Sequence, residues 1–461
     1  MHQIDFHLNG KAATLEVSGS ETLLSALRDK LAVKSVKEGC GIGECGTCTV
    51  LIDDEPHYAC LTLSSKVQGR DVKTVEYLSE NGLFHPLQEA FVHWGAVQCG
   101  YCTPGLLLSA YSLLLKNKRP SRQEIKEAIS GNLCRCTGYV QVVEAIEDAA
   151  RVMQKQEGGK PTTDHLVSSN QPRTIERAMV ISKKLSSQVL VPKTKAEALA
   201  FLSAHEDLAV IAGGTDLLIR LRQSEERHPL LDIALLDELK KINPANGKIE
   251  IGPAVTHAQA QRDSDIKAKA RSLSLACGWI GSPQIRNMGT IGGNLVNASP
   301  AADTIPPLLI HDTRLTLETG ARKRTCRLKD FIAAPYRSQI DRNELVTALE
   351  LESLEGYREG YERVIKRAAW AISRVSLAWA IQEEEGIYRE VRLAVGSCTP
   401  IPFRAGKAEA FLKGKPKTRE VIFEAAELAV QEIKEITGMR PSFAYKIPVV
   451  RGRLEKVLGG R

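Results

Sequence analysis

The sequence predicts a multidomain α+β protein, and three observations support this prediction. The length of 461 residues corresponds to about three domains at roughly 150 residues each. In the first part of the chain, apolar and polar residues alternate as in β-strands, for example at 4–8 and 13–17, whereas helical spacing dominates from Glu76 to about Gln154. Beyond a polar stretch at 156–173, strand and helix patterns alternate.

Local signals place the individual elements. Asn9 and Gly10 form a two-residue turn signal between the first two strands. Ser121 followed by Glu124 is a capping box at the start of a helix. We predict strands at 4–8, 13–17, 49–53, 72–76, 189–191, 209–212 and 391–395, and helices at 23–30, 86–94, 105–115, 142–152, 195–205, from 216 onward, and 418–433.

Composition and charge exclude several classes of protein. The net charge is +7, from 62 Lys and Arg against 55 Asp and Glu, and no dense basic run occurs beyond 322–327, which argues against nucleic-acid binding. No segment reaches the roughly 18 apolar residues of a membrane span. The N-terminus has the pattern of a strand rather than that of a signal peptide. We therefore expect a cytoplasmic protein with reduced thiols, in which clustered cysteines indicate a metal site.

Eight of the eleven cysteines precede Thr137, and they form two sets. The first set, Cys40, Cys45, Cys48 and Cys60, has the spacing C-x4-C-x2-C-x11-C and begins on a glycine-rich loop. Four thiolates are the soft ligands that a [2Fe–2S] cluster needs, two for each iron. Structural zinc is the alternative, but zinc sites usually pair C-x2-C motifs. The spacing therefore favours an iron–sulfur cluster.

The second set consists of Cys99, Cys102, Cys134 and Cys136, with the spacing C-x2-C-x31-C-x-C. Each pair lies next to a predicted helix start, where the helix dipole stabilises negative charge. Taken alone, this set would suit either an iron–sulfur cluster or zinc. Beside the first set, it favours a second cluster.

Three segments resemble the iron–sulfur part of the molybdenum hydroxylases, the family of xanthine dehydrogenases and aldehyde oxidases. They are KEGCGIGECGTCTV, QCGYCTPG and GNLCRCTGY, and the resemblance runs over about residues 3–152. It implies a ferredoxin-like β-grasp domain followed by a four-helix bundle, with one [2Fe–2S] cluster in each. All eight cysteines of the two sets match the ligand positions of the family.

Two further segments combine glycine with apolar residues. AVIAGGTDLLIRL, at 209–221, contains a strand, a Gly-Gly turn and a helix, and such a turn presents backbone N–H groups that suit a pyrophosphate. Taken alone, a tight structural turn accounts for this segment better. The second segment, 281–309, contains Gly292 and Gly293 followed by small residues and Asp303. It has no Walker A motif and no Rossmann fingerprint, so a cofactor would be held differently.

Together, these two segments resemble the FAD-binding domain of the same family, a two-lobed α+β domain of the PCMH type. The final part of the chain, with AVGSCTPIPFR at 394–404, resembles the family's CO-dehydrogenase-flavoprotein-like C-terminal domain. A lysine that reaches the flavin region in family members aligns here with Arg363, and Lys366 is nearby. The resemblance implies the following FAD-binding residues: Val210, Ile211, Ala212, Gly213, Gly214, Thr215, Asp216, Leu217, Ile280, Thr290, Gly292, Gly293, Asn294, Asp303 and Arg363.

The expected domain organisation follows from these resemblances. No catalytic side chain is predicted, because such a chain binds, orients and tunes its cofactors. The boundaries are 1–78 for the β-grasp domain, 79–155 for the helical domain, 156–174 for a linker, 175–354 for the FAD-binding domain and 355–461 for the C-terminal domain.

The resemblance also implies a function. We expect an electron-transfer subunit that takes electrons from a molybdopterin-binding large subunit and passes them through two [2Fe–2S] clusters to FAD and NAD+, in an (αβ)2 assembly. The large subunit is expected on another chain because the four domains account for all 461 residues. Xanthine or another purine is the expected substrate, with aldehyde, nicotinate or carbon monoxide as alternatives. A freestanding iron–sulfur flavoprotein electron carrier and a zinc-stabilised interaction protein are the competing functions.

Overall fold

The computed structural model of the chain describes residues 2–79, 83–157, 188–223, 228–245, 247–367 and 371–460. These residues divide into two compact units, which are described separately. Unit 1 contains Met1–Leu190, Gly214–Leu230 and Gly281–Met288, and unit 2 contains Val191–Gly213, Leu231–Ile280 and Gly289–Arg461.

Unit 1 begins with a five-stranded mixed sheet of order β2-β1-β5-β3-β4, within the described range 2–79. β1 pairs antiparallel with β2 and parallel with β5, and a short helix follows the first hairpin, which confirms the expected β-grasp. The strands are β1 (His2–Leu8), β2 (Lys11–Val17), β3 (Thr49–Ile52), β4 (Glu55–Tyr58) and β5 (Asp71–Lys73). The helical elements are α1 (Leu23–Ser25), a π-helical turn (Ala26–Lys30) and 3-10 helices at Ala59–Leu61, Ser64–Val67 and Val75–Leu78.

One strand prediction in this domain was partly wrong. The strand predicted at 72–76 ends at Lys73, and the chain then turns into the 3-10 helix Val75–Leu78. The backbone N–H of Thr74 donates to the side chain of Asn9 (2.8 Å) rather than to a neighbouring strand. The Thr74 carbonyl then accepts from the Tyr77 N–H (2.9 Å), which closes the helical turn.

Four helices follow within the described range 83–157, and they confirm the predicted helical bundle. They are α2 (Pro86–His93), α3 (Thr103–Lys116), α4 (Arg122–Ala128) and α5 (Val140–Glu157). Leu87, Phe91 and Ile146 are fully buried in their common core. The capping box at α4 is present, because the Ser121 side chain accepts from the Glu124 N–H and the Glu124 side chain accepts from the Ser121 N–H.

The predicted linker, 156–174, lies mostly outside the described residues, which resume at 188. The backbone of its first two residues belongs to α5. The predicted domain boundaries therefore stay predictions.

The next region alternates helices with short strands, as the sequence predicts. Its elements up to residue 310 are β6 (Val189–Leu190), α6 (Lys195–Ala204), β7 (Ala209–Ile211), α7 (Leu217–Gln223), β8 (Leu230–Asp232), a 3-10 helix (Asp237–Leu239), β9 (Ile242–Ala245), β10 (Lys248–Ile251), α8 (His257–Arg262), α9 (Ser264–Lys269), α10 (Arg271–Gly278), α11 (Pro283–Met288), α12 (Ile291–Asn297) and α13 (Ile305–Ile310). The elements that follow are β11 (Arg314–Glu318), β12 (Lys323–Arg327), α14 (Leu328–Phe331), β13 (Ile332–Ala334), β14 (Arg337–Ser338) and β15 (Leu345–Glu352).

In unit 2, five of the described strands form an antiparallel sheet of order β12-β11-β15-β10-β9. Apolar residues of this sheet, such as Ile249, Leu315 and Leu349, are fully buried against helical residues such as Leu273 and Leu308. The sheet and its helices therefore share one core, as in a layered α+β domain.

The C-terminal part of unit 2 has a second antiparallel sheet, β16-β17-β18-β19, and three helices. The strands are β16 (Arg358–Val364), β17 (Val375–Glu384), β18 (Ile387–Gly396) and β19 (Phe403–Arg404), and the helices are α15 (Gly406–Leu412), α16 (Arg419–Thr437) and α17 (Phe443–Gly459). The fold class is thus confirmed as multidomain α+β. None of the helices in the described part of the chain is both long and apolar enough to span a membrane.

Candidate iron–sulfur and flavin sites

The sulfurs of the first cysteine set lie in two pairs. Cys40 and Cys45 are joined by a thiol hydrogen bond, and so are the buried Cys48 and Cys60. The glycine-rich loop turns its backbone toward these sulfurs. The N–H groups of Glu44 and Cys45 both donate to Cys40 Sγ (3.3 Å), and the Cys40 N–H donates to Cys45 Sγ (3.3 Å). Such N–H donors stabilise thiolate charge and tune the metal that the sulfurs bind.

Protonation within the first set is already uneven. The hydrogen bond from Cys40 lowers the pKa of the Cys45 thiol to about 5, while the same bond and burial raise the pKa of Cys40 to about 12. The lowered pKa of Cys45 favours its thiolate, which is the form that binds metal.

The second cysteine set is also arranged in pairs. The Cys136 thiol donates to Cys99 Sγ (3.6 Å), and Cys102 pairs with Cys134, whose sulfur also accepts from the Thr137 hydroxyl (3.2 Å). Cys102 immediately precedes α3 and Cys136 shortly precedes α5, as the sequence predicts. Cys99 and Cys136 are exposed, so this set opens to the protein surface.

The paired arrangement fits [2Fe–2S] clusters better than zinc. A single zinc ion takes its four ligands around one point. A [2Fe–2S] cluster instead takes two sulfurs on each iron, so two neighbouring pairs are sufficient. The donor chemistry of both sets therefore fits the expected groups.

Hydrogen bonds connect the two sets directly. The Leu133 N–H donates to the carbonyl of Cys45 (2.9 Å), and Leu133 is bonded to Cys134 of the second set. Asn132 Nδ2 donates to the neighbouring Gly46 carbonyl (2.9 Å). Glycine is required at position 46, because a Cβ there would lie 2.1 Å from the Gly131 carbonyl oxygen. The two cysteine loops are thus in backbone contact.

A buried polar network stabilises this contact, and no sequence pattern indicates it. The Tyr58 hydroxyl donates to the Gly131 carbonyl (2.8 Å). Gln284 Nε2 lies 3.2 Å from both the Ser109 hydroxyl and Asn132 Oδ1. Gln284 is fully buried in unit 1, although it belongs to the segment that the sequence assigned to FAD binding. Its uncharged amide carried no signal that could have distinguished it from a surface residue.

The first predicted FAD segment lies at the connection between β7 and α7. Val210, Ile211, Ala212 and Gly213 belong to unit 2, whereas Gly214, Thr215, Asp216 and Leu217 belong to unit 1. Gly214 adopts a positive φ of 81°, and its carbonyl accepts from the Leu218 N–H (3.1 Å). The predicted strand, glycine turn and helix are all present.

The second predicted FAD segment differs from a simple glycine loop. Gly292 and Gly293 lie in the first turn of α12, and the Thr290 side chain caps this helix by accepting from the Gly293 N–H (3.1 Å). Position 292 requires glycine, because a Cβ there would lie 2.5 Å from Pro253 Cβ. Asn294 Oδ1 accepts from the Thr304 hydroxyl (2.6 Å), so its amide nitrogen points away from that bond.

Asp303 and Arg363 are brought together in the interior of unit 2. Arg363 Nη1 donates to Asp303 Oδ2 (2.9 Å), and the hydroxyls of Tyr361 and Ser373 both donate to Asp303 Oδ1 (2.5 Å). Burial raises the pKa of Asp303 above its ordinary value, against the lowering effect of the Arg363 charge. The guanidinium carbon of Arg363 lies 5.2 Å from the ring centre of Trp279, the neighbour of Ile280.

This cluster contains one hydrogen-bond donor without an acceptor in the part of the chain that the structure describes. Arg363 Nε is buried and has no hydrogen-bond partner among the described residues. A buried donor without a partner is costly, so such an atom fits a site where a cofactor supplies the acceptor. Lys366, the other candidate at this position, is exposed. The residues of this part of unit 2 therefore fit FAD.

Four known domain families match most of the chain. Residues 6–74 match the "2Fe-2S iron-sulfur cluster binding domain" and residues 74–147 match the "[2Fe-2S] binding domain". Residues 184–351 match the "FAD binding domain in molybdopterin dehydrogenase", and residues 361–459 match the "CO dehydrogenase flavoprotein C-terminal domain".

One curated relative decides the family. The nicotine 6-hydroxylase small subunit of Paenarthrobacter nicotinovorans is 48% identical over 147 residues, which cover 32% of this chain and 88% of that protein. The chain belongs to the molybdenum hydroxylase family. Within it, the chain is a fused iron–sulfur and FAD polypeptide, with two [2Fe–2S]-binding domains and one FAD-binding domain.

Longer members of the molybdenum hydroxylase family match along most of the chain. Xanthine dehydrogenase 1 of Arabidopsis thaliana is 28% identical over 89% of this chain, and aldehyde oxidase 1 of Macaca fascicularis is 26% identical over 95% of it. The chain spans only 36% and 37% of the length of these two relatives.

Solved structures share the fold of about three fifths of the chain. The carbon monoxide dehydrogenase of Hydrogenophaga pseudoflava aligns with a TM-score of 0.54 at 24% identity, over 61% of this chain and 96% of that chain. Quinoline 2-oxidoreductase of Pseudomonas putida 86 aligns with a TM-score of 0.55 at 21% identity, over 60% and 96%. At this identity the likeness concerns the fold alone.

Proposed function

We propose that this chain is the electron-transfer subunit of a molybdenum hydroxylase, which connects a molybdopterin-binding partner subunit to NAD+. When bound, the two [2Fe–2S] clusters carry single electrons, and FAD converts them into the electron pair that NAD+ accepts. The eight cysteines hold the clusters, and the predicted residues at 210–217, 280, 290–294, 303 and 363 hold FAD. The polypeptide itself binds, orients and tunes these groups.

The observation that carries this proposal is the hydrogen bond between the two cysteine loops. The Leu133 N–H and the Cys45 carbonyl are 2.9 Å apart, and each belongs to a residue that is in, or bonded to, a cysteine set. This contact, supported by Asn132 and Gln284, holds the two sets at a fixed separation. Such a fixed separation suits transfer of electrons between two bound clusters.

The partner subunit is expected to dock on the surface around the second cysteine set. Cys99 and Cys136 are exposed there, and the nearby apolar side chains of Tyr101, Leu133 and Val140 are exposed as well. An exposed apolar patch around a redox site is typical of a surface that another protein covers. The name of the nicotine 6-hydroxylase small subunit, the relative of this region, also implies a larger partner.

Xanthine or another purine is the substrate that we propose for the complete enzyme, in the cytoplasm and as an (αβ)2 assembly. The support is the match of 89% of this chain to Arabidopsis xanthine dehydrogenase 1. The matches to an aldehyde oxidase and to the nicotine 6-hydroxylase small subunit make aldehydes and aromatic N-heterocycles the alternatives. The substrate pocket would lie on the partner subunit, so residues of this chain do not select among them.

A rapid-mixing experiment tests the acceptor. We expect that NADH mixed anaerobically with the purified chain bleaches the flavin absorbance, because a flavin that delivers electrons to NAD+ also accepts them from NADH. Dithionite is the control that shows the flavin to be reducible. Reduction by dithionite but not by NADH would contradict NAD+ as the acceptor.

Co-purification tests the partner and the substrate. A tagged chain expressed in its native cells should retain a molybdopterin-containing protein, and the complex should reduce NAD+ with xanthine or hypoxanthine. Activity with aldehydes, nicotinate or carbon monoxide alone would contradict the purine assignment while leaving the electron-transfer role intact. A chain that purifies alone from such cells would favour the freestanding carrier.

A further inference from the structure

Arg222 contacts the first cysteine set from a part of the chain far away in sequence. It lies near the end of α7, the helix that follows the predicted FAD pyrophosphate segment, and it belongs to unit 1 together with the cysteine loop. Its guanidinium donates from Nη1 to the carbonyl of Gly41 and from Nη2 to the carbonyl of Cys60. One side chain therefore bridges the start of the loop, next to Cys40, and the fourth cysteine of the set.

The bridge uses properties that are particular to arginine. The guanidinium is planar and stays charged at any physiological pH, and its fork of donors can reach two carbonyls at once. Gly41 has a positive φ of 67°, and a Cβ at this position would lie 3.7 Å from Arg222 Nη1. The loop backbone thus passes directly beside the cation.

The charge of Arg222 acts on the buried side of the set. Cys60 is buried, and Arg222 donates to its backbone carbonyl, so the guanidinium lies at the buried end of the set. Glu38 and Glu44, the acidic residues of the loop, are exposed. Water and salt screen exposed charges far more than partly buried ones, so the charge of the half-buried Arg222 is screened less than those of the two carboxylates.

We propose that Arg222 is a positioning residue that raises the reduction potential of the first cluster. Reduction adds one electron to the cluster and neither forms nor breaks a bond, so the charge of the cysteine-bound group becomes more negative by one. A fixed cation beside Cys60 stabilises the reduced form more than the oxidised form. The inference rests on the proposed ligand set Cys40, Cys45, Cys48 and Cys60.

Arg222→Met tests this directly, because it removes the charge and keeps an unbranched side chain. We expect a dithionite titration of the full chain, monitored by EPR, to show that the ratio of reduced to oxidised first cluster falls about tenfold at a fixed potential. That factor corresponds to a decrease of ~59 mV for a one-electron couple. The second cluster should titrate as in the wild type. Arg222→Lys, which keeps the charge, should restore most of the potential.

Arg220→Met is the matched control. Arg220 lies two residues before Arg222 on the same helix and is exposed, so this change removes an equal charge without removing the bridge to the loop. An unchanged potential of the first cluster in Arg222→Met would overturn the proposal. An equal decrease in Arg222→Met and Arg222→Lys would also overturn it, because the geometry of the bridge rather than its charge would then set the potential.

Two further results keep the test decisive. If Arg222→Met binds less iron, Arg222→Gln replaces it as the neutral variant, because glutamine can still donate to one carbonyl. The potential of its first cluster is then compared with that of Arg222→Lys. Iron content and the presence of two EPR signals report on the ligand sets themselves. Absence of the first EPR signal in the wild-type chain would refute the ligand assignment. An unshifted reduction potential of the first cluster in the neutral variants would refute only the role of Arg222.

Discussion

At the residue scale, the chemistry of this chain depends on how side chains are paired. Each cysteine set is divided into two sulfur pairs, and each pair would supply two thiolates to one iron of a bound [2Fe–2S] cluster. In the flavin-binding part, Asp303 is the acceptor for Arg363, Tyr361 and Ser373, and it fixes the direction in which the guanidinium points. Both arrangements predict specific consequences of single substitutions.

Replacement of Cys45 by serine should remove one cluster and leave the other. Cys45 is a predicted ligand of the first cluster, and a serine hydroxyl at this position is a much poorer ligand for iron. We expect EPR of the dithionite-reduced protein to lose one of two signals and the iron content to fall by about half. Cys326→Ser, at a solitary half-buried cysteine on β12, should leave both signals unchanged. Loss of both signals in Cys45→Ser would mean that the two modules do not load independently.

Replacement of Asp303 by asparagine should weaken FAD binding. The change keeps the size of the side chain but leaves the buried Arg363 charge without its partner, which costs about 3–5 kcal/mol in comparable buried pairs. We expect a loss of at least about tenfold in FAD affinity, or ~1.4 kcal/mol, in a fluorescence titration of the deflavinated protein.

The control for this prediction is Asp312→Asn. Asp312 is an exposed residue of the same unit, and it pairs with Arg392 and Arg404 at the surface. Surface pairs contribute only about 0–1 kcal/mol, so this variant should bind FAD as the wild type does. Equal FAD affinity in the Asp303 and Asp312 variants would show that the Asp303–Arg363 pair does not support the flavin.

At the element scale, the contact between the two cysteine loops depends on a close approach of backbones. Gly46 and Gly131 pack so tightly that no side chain fits between them, and Asn132 fills its hydrogen bonds with the Gly46 carbonyl and the hydroxyls of Thr49 and Ser109. Every partner in this network is uncharged. The contact is therefore insensitive to pH and salt over the range in which the domains are folded.

Gly46→Ala should destabilise this contact by more than the conformational strain of an alanine at positive φ accounts for. The added Cβ would lie 2.1 Å from the Gly131 carbonyl oxygen, so the loops must separate, which typically costs about 1–3 kcal/mol. Gly69 has the same φ of 71°, but its Cβ would meet nothing within 4 Å. Gly69→Ala therefore reports the conformational strain alone. We expect a lower unfolding midpoint for Gly46→Ala in a circular-dichroism melt, and equal midpoints would contradict the close packing.

The elements themselves were largely predictable from local patterns. Alternation predicted β1 and β2, the capping box predicted the start of α4, and glycine followed by Asp216 predicted the β7–α7 turn. The strand at 72–76 was overextended because a tertiary bond from Thr74 to Asn9 competes with the sheet. No helix was predicted at Gly292 and Gly293, whereas Thr290 caps a helix that contains both.

The contacts that hold the sites could not be predicted in the same way. The cysteine spacing revealed the metal ligands because metal chemistry constrains both residue type and separation. Gln284 and Arg222 carry no such constraint, and they meet the cysteine loops only after the chain has folded over more than 150 residues. Their roles depend on tertiary packing, which a single sequence does not encode in any local pattern.

At the scale of the whole molecule, the chain places three redox groups on separate domains of one polypeptide. The two [2Fe–2S]-binding domains and the FAD-binding domain are matched consecutively along the sequence, and the molybdenum hydroxylase family contains the same order in longer chains. Binding by separate domains lets each group have its own environment. The charge of Arg222 at the first set and the exposure of the second set are two examples of such differences.

The cofactor content of the purified chain tests this account most directly. Chemical analysis of iron, acid-labile sulfide and flavin, with zinc measured in parallel, should give about four irons, about four sulfides and one FAD per chain, because two [2Fe–2S] clusters and one flavin are held by separate residues. The protein should be brown. A colourless preparation that contains zinc, or a chain with two irons and no flavin, would contradict the account.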